Sequence, residues 1–295
     1  MTANTTPRYN IDTATLLVEI NVSVWTARKL DRSTTDEVVT SKSAAAKDAA
    51  RVNKNLLAGR PELDVITKHV GEARTYVYTH TLPWSDSGLR LLPSAQFLKF
   101  NERVRDFEDT FATLVQDFVT VYPTLITAQA MALGDMFRRD EYPSADELKH
   151  KFAFRVGYMP VPTAGDFRVD IGNEAQRDLQ EQLTRLADER VERAVGDVKL
   201  RLADHLRRMS DRLTTDYVAG EPKQRRFHDT LVQGAYDLCD LLRTLNVTED
   251  RDLESARRAL EGALSGASAE DLRKDHAARD DVKKQVDALL GKFQW

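Results

Sequence analysis

Phe97, Phe100, Val104, Phe107, Phe111, Leu114, Phe118 and Val121 recur at alternating steps of three and four residues. That period belongs to a helix, and a stripe holding five phenylalanines must lie against something large and apolar. Pro123 ends or kinks this helix, because proline lacks a backbone donor and disfavours helical geometry at Tyr122. A continuation reaches Phe137. The longest stretch without a charge, Phe118 to Gly134, holds Pro123, Gln129 and several threonines. It falls short of the roughly 20 apolar residues of a spanning helix. We read it as buried helix and expect no membrane association.

The neighbouring segments carry two different periods. Residues 16–25 alternate, with Val18, Ile20, Val22 and Val24 on one side, which predicts a half-buried strand. Residues 152–159 alternate in the same way. Phe167, Val169 and Ile171 mark a third strand over 166–172, joined to the second through Pro162-Thr163-Ala164-Gly165 as a hairpin. Thr34-Thr35-Asp36-Glu37 has capping-box spacing and opens an alanine-rich helix with the seam Val38, Ala45, Ala49, Val52 and Leu56. Gly59 and Pro61 end that helix, and another follows at about 61–80. Ser144-Ala145-Asp146-Glu147 caps a short helix.

From Asn173-Glu174-Ala175-Gln176 onward the chain reads as helix. Residues 174–217 form one long helix whose apolar seam has a single five-residue gap, between Leu186 and Val191. Its other faces interleave nine acidic and nine basic residues between 174 and 212. Further helices are expected at about 223–245, 249–264 and 270–292. The expected fold is α+β and mostly α: a bundle of long helices with an about three-stranded antiparallel sheet and a helical C-terminal region. Two regions are expected, 1–172 with the sheet and 173–295 with the long helix.

Among 295 residues, 41% are hydrophobic and 31% charged, the make-up of a charge-rich globular protein. The net charge of −4 argues against a dedicated nucleic-acid binder. Cys239 is the only cysteine, so neither an internal disulfide nor a cysteine-based zinc site can form. MTANTTPRYN has no signal-peptide character, and we expect a cytoplasmic protein. Phosphate loops, dinucleotide fingerprints, His-Glu-x-x-His and nucleophile elbows are absent. Glu147 with His150, and His69 with Glu72 and His80, share helix faces but read as hydrogen-bonded or solvated pairs. We expect no catalytic residue, metal or cofactor.

Two segments carry candidate contacts. Residues 81–93, TLPWSDSGLRLLP, concentrate more punctuation than a helix turnaround needs, and Trp84, Asp86 and Arg90 could form a recognition knob. The plainer reading makes Trp84 a core plug, Asp86 an acceptor for local backbone donors and Gly88 a left-handed turn. Residues 28–60 carry eight basic and four acidic groups. Lys47, Arg51 and Lys54 fall on one face of the alanine-rich helix, with Arg28, Lys29 and Arg32 nearby, so phosphate contact is conceivable. An ordinary solvated face is the plainer reading, since no aromatic platform is interleaved.

Asn21-Val22-Ser23-Val24-Trp25-Thr26-Ala27-Arg28-Lys29-Leu30, Asn53-Lys54-Asn55-Leu56-Leu57, the 81–93 segment and the stretch from Pro160 to Val169 together resemble the phage and proteobacterial family termed domain of unknown function 3150. The resemblance spans roughly residues 14–215. It brings no activity or site residues. It implies a phage setting, sometimes beside genes for a MoxR-type AAA+ ATPase and a von Willebrand A-type protein. The expected function is therefore a non-enzymatic phage or prophage protein acting through protein contacts, as an oligomeric adaptor or accessory factor of such an ATPase. The alternative is a DNA- or RNA-binding accessory protein of phage genome metabolism.

Overall fold

A computed structural model of the chain describes residues 11–44, 46, 48–162, 173–218, 221–225 and 228–292. The fold is α+β and mostly α. In chain order the elements begin with α1 (Ile11–Ala14), β1 (Thr15–Ser23), β2 (Arg28–Leu30), α2 (Arg32–Ser41), β3 (Asn53–Asn55) and α3 (Glu62–His80). There follow β4 (Leu82–Pro83), β5 (Arg90–Pro93), α4 (Phe97–Leu133), α5 (Ala145–Lys149) and β6 (Ala153–Pro160). The rest comprises α6 (Asn173–Leu213), β7 (Thr215–Val218), β8 (Glu221–Gln224), α7 (Thr230–Leu245), α8 (Arg251–Leu264), α9 (Ala269–Lys274) and α10 (His276–Lys292).

The main sheet is antiparallel with strand order β4-β5-β1-β6. Two of its members come from the segment 81–93, which is a β-hairpin rather than a plain turnaround. Leu82 pairs with Leu91, and Thr15 to Val18 pair with Pro93 to Arg90. The pattern was too short to show period two: β4 contributes two residues, one a proline. The expected strand 166–172 lies outside the described residues. β2-β3 and β7-β8 each form a two-stranded sheet of their own.

The contacts divide the chain into two compact units. One contains 1–19, 77–100 and 157–295; the other contains 20–76 and 101–156. The units are thus interleaved along the chain, whereas the sequence reading divides it once, after residue 172.

In the second unit the phenylalanine stripe meets the apolar surface it requires. Phe107 packs on His69 and Tyr76 of α3, while Phe111 meets Phe152 and Phe154. Phe118 lies among Phe152, Tyr122 and Trp25. Helix α4 passes through Pro123 and runs on to Leu133. Pro123 is exposed, while Tyr122, Leu125, Ile126 and Gln129 pack inward on either side of it, so burial outweighs the missing donor.

The alanine-rich helix is a correction. Helix α2 ends at Ser41, with Ser43 in the left-handed region at φ 52°. Its N-cap is Asp31, whose carboxylate accepts from Thr34 N at 3.0 Å and Ser33 Oγ at 2.8 Å. Those bonds, with Lys54 nearby, hold the Asp31 carboxyl below its ordinary range. An alanine seam has helix propensity but little area to bury. Pairing in β2-β3 and the bond from Val52 N to Thr35 Oγ1 take the chain elsewhere.

In the first unit, the seam of α6 splits where its spacing does. Beyond the five-residue gap, Ala194, Val198, Leu202, Leu206, Met209 and Leu213 are buried; before it, Leu186 is exposed. Helices α7 and α10 cover the buried half, and α8 packs on both of them. Of the predicted C-terminal helices, the one expected at 223–245 begins only at Thr230, because Glu221–Gln224 pairs as β8; the next is present, and the last is interrupted between α9 and α10. The predicted helix at 174–217 stops at Leu213 instead and passes into β7.

Arg279 of α10 closes that end. It is 1% exposed, and it donates to Leu213 O at 2.9 Å, Arg212 O at 2.7 Å and Arg225 O at 2.9 Å. A helix C-terminus leaves carbonyls unpaired and carries partial negative charge, so one guanidinium satisfies both needs. Replacing Arg279 with Met orphans those buried carbonyls. We expect a loss of roughly 3 kcal/mol, read from urea unfolding. On α8, hydrogen bonds from Arg257 and then Arg258 hold the Glu254 carboxyl at about 2 against an ordinary value of 4.5. The stability this gives is complete above the unfolded carboxyl value and disappears as pH falls through the folded one. The difference in urea midpoint between wild type and Glu254→Gln should therefore shrink steadily from about pH 5 to about pH 2.

Candidate functional site

The hairpin β4-β5 is built against α6 by arginines that α6 supplies. Trp84, at its tip, is 2% exposed and joins the core cluster formed with Leu82, Leu91, Leu202 and Leu206. Arg190 lies over its ring, 5.5 Å from the centroid. The turn behind it is closed by bonds from Trp84 N and Ser85 N to Leu89 O, with Gly88 at φ 100°. Asp86 points outward and pairs with Arg193 at 2.8 Å, where local backbone donors were expected.

Arg90 turns away from solvent toward the C-terminus of α3. Its Nε donates to Thr81 Oγ1 at 2.6 Å and its Nη2 to Thr81 O at 3.0 Å, and the guanidinium stacks on the Tyr78 ring at 4.6 Å. Arg201 of α6 reaches the same carbonyls, donating to Thr79 O at 2.7 Å, Tyr78 O at 3.0 Å and Thr81 O at 2.9 Å. Two cations in one place would repel. The negative end of α3 and Asp197, 2.7 Å from Arg201, offset that repulsion. Burial, then the nearness of Arg201, lowers the Arg90 pKa, and Asp197 opposes the shift. Trp84 and Arg90 thus serve the architecture, and only Asp86 of the three faces outward.

The second candidate set is rearranged by the absence of its helix. Arg28 and Lys29 are exposed on β2, and Arg51 is exposed ahead of β3. Lys47 lies outside the described residues. Lys54 is buried, 6% exposed, with its ammonium 2.7 Å from Glu141, 3.7 Å from Asp31 and 2.9 Å from Met136 O. It is a structural pin and not a surface cation. Its helical spacing to Lys47 and Arg51 disappears because β3 replaces the helix there.

The charge-free stretch from Phe118 to Gly134 also differs from its reading. Only one side of it is buried. Val121 is 42% exposed and Met131 91% exposed, and Thr120, Thr124, Thr127 and Ala130 share the solvent side. A composition without charge predicts core, but helical period exposes half of any such stretch unless a second layer covers it.

Other polar groups are engaged structurally. His69 Nε2 sits 2.9 Å from Phe107 O, and Glu147 completes the capping box of α5 with Ser144. Among the described residues no three His, Cys, Asp or Glu side chains converge as a metal set. A hollow of about 570 Å³ is lined by Arg243, Asn246, Glu249, Arg251, Glu254, Ser255 and Arg258. Of its cations, Arg258 is paired with Glu254 and Arg243 with Glu261. Burial pushes the Cys239 thiol up to about 12, far from a reactive thiolate.

Comparison with protein-family models, curated proteins and solved structures gives no match. The roles of the hairpin residues make a direct prediction. Trp84→Ala should cost about 3–5 kcal/mol in urea unfolding, as for other buried aromatics. Asp86→Ala, which breaks an exposed pair, should cost less than about 1 kcal/mol.

Proposed function

We propose that this chain is a non-enzymatic binding protein that works by contact with another polypeptide. The observation that supports this reading is the solvent side of α4 between Thr120 and Leu133. In a chain with 31% charged residues it presents no charge at all. Depletion of charge distinguishes the centre of a protein interface from ordinary surface, and methionine is enriched there. Val121, Thr124, Thr127, Ala130 and Met131 offer uncharged side chains along about 15 Å of helix, which suits a partner helix laid alongside.

The resemblance carried by residues 21–30, 53–57, 81–93 and 160–169 supports a phage or prophage setting. With it goes the role of adaptor or accessory factor to a MoxR-type AAA+ ATPase, the protein acting as an oligomer or as the ATPase's partner. No helix among the described residues is long and apolar enough to cross a membrane.

The test is to measure the mass of the purified chain by light scattering, alone and with a MoxR-type ATPase from the same source. Association in either mixture should weaken about thirtyfold in Met131→Asp, since burying one methionine is worth about 2 kcal/mol. A chain that stays monomeric at high concentration and does not bind the ATPase would overturn the reading. So would association that Met131→Asp leaves unchanged.

A further inference from the structure

The β2-β3 ribbon has two unlike faces. Its register pairs Arg28 with Asn55, Lys29 with Lys54 and Leu30 with Asn53. Cross-strand partners share a face and alternate residues change it. One face therefore holds Arg28, Leu30, Asn53 and Asn55, all four exposed. The bond from Asp31 N to Val52 O, 2.9 Å, carries the pairing one step further. The next residues on each chain, Arg32 and Arg51, come to the same end of the ribbon and are exposed there.

The inner side holds the carboxylates. Lys54 draws Glu141 and Asp31 to itself below the ribbon. Asp31 is spent further as the cap of α2. Asp36 and Glu37, one turn along α2 from Arg32, form no ion pair with it. Among the described residues, the side chains of Arg28, Arg32 and Arg51 have neither an ion pair nor a hydrogen-bond partner. Three cations are thus left uncompensated on one small surface.

That surface is held firmly. Trp25, just before β2, stands edge-on to Tyr122 at 5.6 Å. Ala27, 1% exposed, adopts φ 51°, and its carbonyl accepts from Leu56 N at 2.7 Å. A left-handed alanine costs of order 1 kcal/mol and persists only where its surroundings fix it. Tyr142 Oη donates to Leu56 O at 2.7 Å and Gln129 Nε2 to Ala58 O at 3.0 Å, fixing the far strand.

We propose that this face, with Arg28, Arg32, Arg51 and Asn53, is a contact surface for the phosphate backbone of double-stranded DNA. The major groove of B-DNA, about 12 Å wide, admits a two-stranded ribbon, whereas the deep groove of duplex RNA does not. Unpaired guanidinium groups bind phosphate bidentately, and an asparagine amide donates to phosphate or a base edge. The face has no aromatic residue, which a single-strand platform needs. Three cations beside one leucine fall below the about 4–8 of a lipid-binding cluster. This surface is separate from the charge-free side of α4 and does not depend on its role.

Fluorescence anisotropy of the full chain with a labelled duplex of about 20 base pairs tests it. Neutralising three phosphates predicts a slope of about −2.7 in log affinity against log salt, a loss of about fortyfold between 50 and 200 mM. Arg51→Gln should reduce the slope by about one, and the triple variant Arg28→Gln, Arg32→Gln and Arg51→Gln should remove most binding. Met131→Asp should bind duplex as wild type does, so failure here is distinct from failure of the protein-contact reading. Undetectable binding at 50 mM salt would overturn the proposal, as would full binding by a folded triple variant. Preference for polyglutamate over duplex would instead mark the face as a site for acidic polypeptides, and would equally overturn it.

Discussion

The long helices α3 and α6 end against other parts of the protein, and a covered helix end is a problem before it is a feature. Its last carbonyls have no intrahelical partner and carry partial negative charge. Here the solution is a cation brought from a distant part of the chain. Arg90 and Arg201 serve the end of α3, and Arg279 serves the end of α6. Lys54 serves Met136 O just beyond α4. Each cation gives up water but recovers several charge-assisted bonds, which favours burial only where several acceptors converge.

This constraint explains why residues that look like surface chemistry in the sequence are structural. Arg90 and Lys54 were candidate contacts because each sits among polar neighbours in a segment rich in charge. The carbonyls they serve lie elsewhere in the chain, Thr81 O for Arg90 and Met136 O for Lys54. Arg28, Arg32 and Arg51 stand out because Lys54 has already claimed the nearest carboxylates.

Much of the fold was legible where a pattern was long and buried on one side. The phenylalanine stripe, the 16–25 strand, the 152–159 strand and the seam of α6 each repeat enough to fix their period. The short elements were not legible. The hairpin of β4 and β5 spans too few residues to alternate, and β3 lies in what alanine content makes a helix. Among the candidate residues, the core role of Trp84 could be anticipated from its size. The outward pairing of Asp86 with Arg193 could not, since the two are remote in the chain. The exposed side of α4 is not legible in composition, which shows that charge is missing without showing whether anything covers the gap.

The sequence by itself determined the class of the fold, the long helices and their inward faces, because hydrophobic period is a local property that the backbone geometry converts directly into a buried side. Only the tertiary structure decided where α2 stops, which strands share a sheet and which cations remain free. Those outcomes depend on competition among distant groups for the same hydrogen bonds and charges. Lys54 illustrates the difference: its place in the chain suggests a solvated helix face, but Asp31, Glu141 and Met136 O together make burial the more favourable state.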